Sequence, residues 1–209
     1  RRLFFDNSCT CCGEKASDNL IYLCYNCLDK IVRQKSLNTV GDTYYIWPYK
    51  GEFRKLLLEY KNNSRLALGK IISSLIEEEI FKVVYEEDID YIVPIPINFR
   101  REQIRGFNQV EEILKNLNYS FLKTNRVKNT KKMFKILDKE KRENNIKNSF
   151  KVDKEFKAKN ILIFDDIITT GATIEEFKRE LIKNGEVNKI VVFSLSASKT
   201  YMNSNKRMC

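Results

Sequence analysis

An α/β fold, a parallel sheet flanked by helices with a small cysteine-built knuckle at the N-terminus, is what three features of this 209-residue chain predict. Short apolar runs that suit buried strands alternate with longer stretches whose apolar residues recur at helical spacing. One of these runs, Ile161–Phe164, leads directly into two acids and a Thr/Gly-rich loop. Near the start, Cys9-x-x-Cys12 and Cys24-x-x-Cys27 are separated by eleven residues.

The knuckle comes first in the chain. Each CxxC turn aims two thiolates at one centre, so two turns make a tetrahedral site with sulfurs about 2.3 Å from a zinc ion. Histidine is absent from the whole chain, which leaves thiolates as the usual soft ligands. Cys11 is an alternative to Cys9 or Cys12, though the two-residue gap favours the Cys9/Cys12 pair. Two disulfides or a redox pair are the competing readings, and a cytosolic chain favours zinc over both. Its role is structural, holding residues 8 to 30 in a segment too small for its own core. Residues 1–35 are thus read as a four-cysteine zinc knuckle with ligands Cys9, Cys12, Cys24 and Cys27, and 36–209 as the larger domain. Cys209 reads as a free thiol without function.

The larger domain alternates strands and helices. Thr43 to Pro48 predicts a strand, and Phe53, Leu56, Leu57 and Tyr60 predict a helix after it. Leu66, Leu68, Ile71, Ile72, Leu75, Ile76 and Ile80 predict a second helix with one broad apolar face, completing a helical part over 36–85. Tyr91-Ile92-Val93 is a strand ended by Pro94, Phe107 to Leu117 the next helix, and Tyr119 to Leu122 a weaker strand. Ile161–Phe164 is the central strand, Ile174, Phe177 and Leu181 mark a helix closed by Gly185, and Val187 to Leu195 is the last strand. This alternation predicts a doubly wound parallel sheet with its ligand at the strand C-terminal ends.

At the end of the central strand, Asp165 and Asp166 are placed to accept hydrogen bonds from vicinal ribose hydroxyls, as a single acid does in dinucleotide-binding folds. Thr169, Thr170, Gly171, Ala172 and Thr173 then open a helix. Their backbone N–H groups, their hydroxyls and the positive helix end converge on a phosphate. The competing reading is a helix cap by Thr170 or Thr173, with Gly171 easing the turn. The coincidence of apolar run, acidic pair and Thr-Thr-Gly-x-Thr loop favours a sugar-phosphate site.

A second informative stretch is Val93 to Gln109, VPIPINFRREQIRGFNQ. Pro94 and Pro96 stiffen a loop past a strand, and Arg100, Arg101 and Arg105 follow, where guanidinium forks suit phosphate oxygens. Arg-rich helix starts are commonly solvated faces, so this signal gains its weight from the rest.

ILIFDDIITTGAT resembles the phosphoribosyl pyrophosphate (PRPP) motif of type I phosphoribosyltransferases. The resemblance implies Asp165 and Asp166, the catalytic candidates, on the ribose 2′ and 3′ hydroxyls, with residues 169–173 around the 5-phosphate. The order CxxC, CxxC, Tyr49-Lys50-Gly51, VPIP with Arg105-Gly106-Phe107-Asn108-Gln109, then the acidic loop resembles the ComF family of competence proteins across essentially the whole chain. That resemblance implies a type I phosphoribosyltransferase-like sheet and a part in natural transformation, the uptake of single-stranded DNA through the inner membrane. It also implies a flexible segment carrying Arg and Asn, matched by Arg142 and Asn145; where the family usually has Gln, this chain has Met133 or Phe134. The expected partners are PRPP with Mg²⁺, single-stranded DNA, and a competence helicase or inner-membrane DNA channel.

Charge supplies an independent argument. The chain carries a net charge of +10, and Lys123 to Lys159 holds fourteen Lys/Arg against five Asp/Glu. This basic segment, read as mobile, interleaves its cations with Met133, Phe134, Phe150 and Phe156, a pattern that suits single-stranded nucleic acid. Lys128, Lys131, Lys132, Lys135, Arg142 and Lys147 are its candidate phosphate contacts. The segment also reads as a lid over PRPP, or as a solvated lysine-rich surface. No apolar stretch reaches the 18 residues a membrane helix requires, and the expectation is a cytoplasmic protein, peripheral to the inner membrane where the uptake machinery sits. If a transferase reaction occurs, its base comes from Asp166, Glu175 or the acceptor itself. Three functions stay open: DNA uptake through a sugar-phosphate site, phosphoribosyl transfer in metabolism, and a retired enzyme that scaffolds competence machinery.

Overall fold

The computed structural model describes residues 8–62, 65–127, 148–152 and 156–204. Its elements are α1 (Tyr25–Arg33), β1 (Asn38–Val40), β2 (Thr43–Pro48), α2 (Gly51–Asn62), α3 (Leu66–Glu86), β3 (Tyr91–Pro94), α4 (Phe99–Arg105) and α5 (Gln109–Asn116). They continue with β4 (Asn125–Arg126), β5 (Phe150–Lys151), β6 (Phe156–Ile168), α6 (Ala172–Lys183), β7 (Gly185–Ala197) and α7 (Lys199–Ser204). Five strands form one sheet in the order β1-β2-β7-β6-β3. The pairs β2/β7, β7/β6 and β6/β3 are parallel, and β1 adds an antiparallel edge. Pro94 is accommodated in β3 because that strand lies at the opposite edge, where a missing N–H costs no ladder bond.

The period-2 alternation of β6 builds both layers of the core. Leu162 and Phe164 enter a cluster with Trp47, Phe53, Tyr60 and Ile113 from β2, α2 and α5. Ile161 and Ile163 join Phe177 and Leu181 of α6 on the other face. The knuckle shares the first cluster through Cys9, Leu23, Cys27 and Ile31. Trp47 ties it there, stacking on Phe53 with ring centroids 4.0 Å apart and donating Nε1–H to the Ile31 carbonyl at 2.9 Å.

Several local expectations need correction. The central strand runs on past Phe164, so Asp165 and Asp166 lie within β6 and Ile167 and Ile168 still pair with β7. Residues 119–122 form no strand; Leu122 donates one backbone bond to Ile92, and β3 remains the edge. Leu66 is exposed at the start of α3, whereas Leu68 of the same turn is fully buried. Gly185 opens β7, and Asn184 caps α6 instead. The short β4/β5 ladder and the β1 edge have too little pattern to be read in advance.

Candidate functional site

Adjacent residues of a strand face opposite sides of the sheet, and this separates the two acids. Asp166 follows Phe164 to the side of α2 and α5. There its Oδ2 takes an ion pair from Lys61 Nζ at 2.8 Å and a hydrogen bond from the Gln109 side-chain amide. Gln109 in turn accepts from the Arg105 guanidinium, so cation, amide and carboxylate form one chain. Asp165 turns the other way, and its Oδ1 accepts from the Asp166 backbone N–H at 2.8 Å. Burial, then the neighbouring Asp166 charge, push the Asp165 carboxyl up to about 7, against the opposing pull of Lys61 and Arg126.

Cations ring this pair. Asn98 caps α4 by accepting the Arg100 N–H at 3.0 Å, and the helix then carries Arg101 and Arg105 toward the acids. Burial lowers both guanidinium pKa values while Asp166 raises them. Arg100 itself is exposed on the outer side of α4. Arg126 of β4 is held down to about 10 by burial and by the Arg101 charge, with Asp165 acting the other way. Its guanidinium carbon lies 5.2 Å from the centre of the Phe150 ring.

The loop after β6 is built for close approach. Gly171 adopts φ 80° and opens α6 without any side-chain cap, so neither Thr170 nor Thr173 plays that part. The loop is held from behind, since Ser198 Oγ donates to the Thr169 carbonyl at 2.6 Å and Tyr201 lies against Gly171. The first amides of α6 thus lack a capping side chain, the condition that suits a bound anion. Ala172 and Thr173 begin the helix, half-buried.

The structure therefore gathers Asp165, Asp166, Arg101 and Arg105, with the loop 169–173 continuing from the same strand. It also adds Lys61, Gln109 and Arg126, which sequence reasoning does not single out as site residues. Gln109 belongs to the VPIP-to-Gln109 stretch, but nothing local marks Lys61, whose partner is 105 residues away. Lys128, Lys131, Lys132, Lys135, Arg142 and Lys147 lie outside the described residues.

At the knuckle, the sulfurs of Cys9, Cys12, Cys24 and Cys27 all lie within 4.8 Å of one another. Cys12 and Cys24 are 3.7 Å apart, against about 3.8 Å for the edge of a tetrahedron of thiolates around zinc. Four sulfurs so placed can hold a metal such as zinc. Burial opposes ionisation of Cys9, yet the backbone N–H groups of residues 12, 11 and 24 hold it at about 6. Cys11 falls outside the cluster: its thiol donates to the Glu52 carbonyl at 3.4 Å, and burial pushes it up to about 12. Among the described residues no helix is long and apolar enough to cross a membrane.

These features define an α/β protein with a parallel-dominated sheet, an acidic pair followed by an uncapped helix start at its C-terminal edge, and a four-cysteine knuckle packed against its core. No protein-family model matches the sequence. The chain is 30% identical to competence protein ComFC of Streptococcus pneumoniae over 161 residues, 72% of this chain and 66% of that protein. It is 27% identical to competence protein F of Haemophilus influenzae over 202 residues, 88% and 83% of the two chains. It is also 27% identical to the DNA utilization protein YhgH of Escherichia coli over 186 residues, 85% and 78% of the two. The chain belongs to the ComF family of competence proteins.

Proposed function

We propose that this protein serves natural transformation, binding PRPP or a related sugar phosphate at the Asp165–Thr173 site and single-stranded DNA through its basic segment. The observation that carries the first half is the pairing of buried Asp166 with Lys61 and Gln109 on a strand that leads directly into an uncapped helix. Acids to accept ribose hydroxyls and amides to receive a phosphate follow one another along the chain, with Arg101 and Arg105 near enough to Asp166 to feel its charge. Mg²⁺ enters with the pyrophosphate of the ligand, and zinc holds the knuckle. The names of the relatives, competence and DNA utilization proteins, support the setting.

The DNA half is supported by charge. The basic segment carries nearly all the chain's excess of cations, and within it Arg126, paired with Phe150 across β4 and β5, is close enough to Asp165 to feel its charge. The alternative, a working phosphoribosyltransferase, is favoured by the Asp165 carboxyl near 7, the range in which a carboxyl exchanges protons at neutral pH. In that reading departing pyrophosphate is stabilised by Arg101, Arg105 and Mg²⁺.

Fluorescence anisotropy of single-stranded DNA at two salt concentrations, with and without PRPP and Mg²⁺, separates the readings. Uptake predicts binding that falls steeply with salt and a flatter slope when Lys131, Lys132 and Lys135 become Ala. Turnover of PRPP with no affinity for DNA would establish the metabolic enzyme instead.

A further inference from the structure

Asp166 is buried at 5% relative exposure, and Lys61 reaches it from α2, an element that contributes no part of the acidic loop. The placement of Lys61 is fixed by its neighbour. Tyr60 is fully buried, donates its hydroxyl to the Gln109 carbonyl at 2.9 Å and packs on Phe107 with ring centroids 5.4 Å apart. Gly69 of α3 makes room for that ring: a Cβ there would stand 2.9 Å from Tyr60 Cε2. The last full turn of α2 is therefore clamped between α3 and α5, with Lys61 aimed into the site. Its ammonium and the Gln109 amide both bond Oδ2, which leaves Oδ1 as the oxygen available to a ligand hydroxyl.

The charge of Asp166 acts unfavourably on the neighbouring Asp165, and a cation bonded to Asp166 opposes that effect. A vicinal diol offers two hydroxyl donors, and an ionised carboxylate accepts from them more strongly than a neutral carboxyl does. We propose that Lys61 is a positioning residue of the sugar-phosphate site, anchoring the Asp166 carboxylate through Oδ2 and lending its charge to the acidic pair so that the pair can accept from the ribose diol of the ligand. This inference rests on the sugar-phosphate reading above. Asp166 is also faced by Asp165 of β6, by Arg101 and Arg105 of α4, by the Tyr60 hydroxyl and by Tyr49, while Arg126 of β4 acts on Asp165. Among these, Lys61 makes the direct ion pair, and Arg105 acts through Gln109.

Titration of the aspartate carboxyls by ¹³C NMR in the free protein tests the inference without a ligand. The wild type is compared with Lys61→Met, which keeps the stem but not the charge, and with Lys61→Arg; Asp165→Asn assigns the signals. Lys61→Met is expected to raise the titration midpoint of Asp165, whose pKa the Lys61 charge lowers, and Lys61→Arg to restore it. The same three proteins are titrated with PRPP and Mg²⁺ by calorimetry between pH 6 and 8.5. Lys61→Met is expected to bind at least tenfold more weakly at pH 7 and to recover part of the loss as pH rises. Carboxyl midpoints unchanged in Lys61→Met overturn the inference whatever PRPP does. A shifted midpoint in a wild type that binds no PRPP upholds the charge-lending role and overturns the sugar-phosphate reading. A Lys61→Met protein too unstable to titrate makes Lys61→Gln the decisive variant, with the same expected shift.

Discussion

Tyr201 donates its hydroxyl to Thr43 Oγ1 at 2.9 Å, and the edge of its ring lies 3.1 Å from the point where a Cβ on Gly171 would stand. The C-terminal helix is thus bonded to β2 and closes the underside of the loop between β6 and α6. Gly171 also holds φ 80°, a conformation that side chains disfavour.

Gly171→Ala is therefore expected to lower stability by about 1–2 kcal/mol through backbone strain, with a further cost from the Tyr201 ring. Denaturant unfolding of Gly171→Ala alone and combined with Tyr201→Ala separates the two terms: relief in the double variant reports the ring contact. PRPP affinity should fall with the single variant, since the loop amides move together with Gly171.

The Asp165 carboxyl gives a pH prediction with a definite sign. Its pKa is raised to about 7 in the folded protein from about 4 in the unfolded chain, so the folded state binds the extra proton between those values. The stability linked to this proton is fully present below pH 4 and is lost as pH rises through 7. Asp165→Asn removes the cost of burying a charge, so it should melt several degrees above wild type at pH 8, with the gap closing toward pH 5. A gap that widens on acidification would contradict the buried environment given to Asp165.

Much of this was legible in the chain. The run Ile161–Phe164 reads as a two-faced strand because all four residues are apolar, and the structure divides them between two core clusters. The four cysteines read from spacing alone, because a CxxC turn fixes its own geometry. What escaped depends on contacts between distant residues. Lys61 resembles any helix-terminal lysine until α2 packs beside β6, and Arg126 is one of many cations until β4 pairs with β5. The extension of β6 through the acids was hidden because charged residues end an apolar pattern, whereas the backbone ladder with β7 continues beneath them.

Metal removal should be visible at a distance from the sulfurs. Trp47 is the sole tryptophan, is fully buried, and bonds to α1, whose first turn carries Cys27. Chelation is expected to loosen α1, shift Trp47 emission to longer wavelength and lower the melting temperature. Cys24→Ser and Cys27→Ser should lose bound zinc, whereas Cys11→Ser should retain it, its thiol being bonded to the Glu52 carbonyl. Unchanged Trp47 emission after complete zinc removal would deny the knuckle its structural role.

The arginines of α4 divide by exposure. Arg101→Ala is expected to weaken PRPP binding by about 1–3 kcal/mol, while Arg100→Ala should change it by less than about 0.5 kcal/mol, since an exposed cation is screened by water. Calorimetry of both variants at one salt concentration checks the difference, and equal losses would assign Arg100 to the site as well.

The central claim is that Asp165 and Asp166 form a sugar-phosphate site, and calorimetric titration of PRPP with Mg²⁺ tests it most directly. Wild-type protein should bind one PRPP per chain. Asp165→Asn combined with Asp166→Asn should bind at least a hundredfold more weakly while keeping its zinc and its cooperative unfolding. Equal affinity in the wild type and the double variant, or no binding by the wild type, would contradict the account.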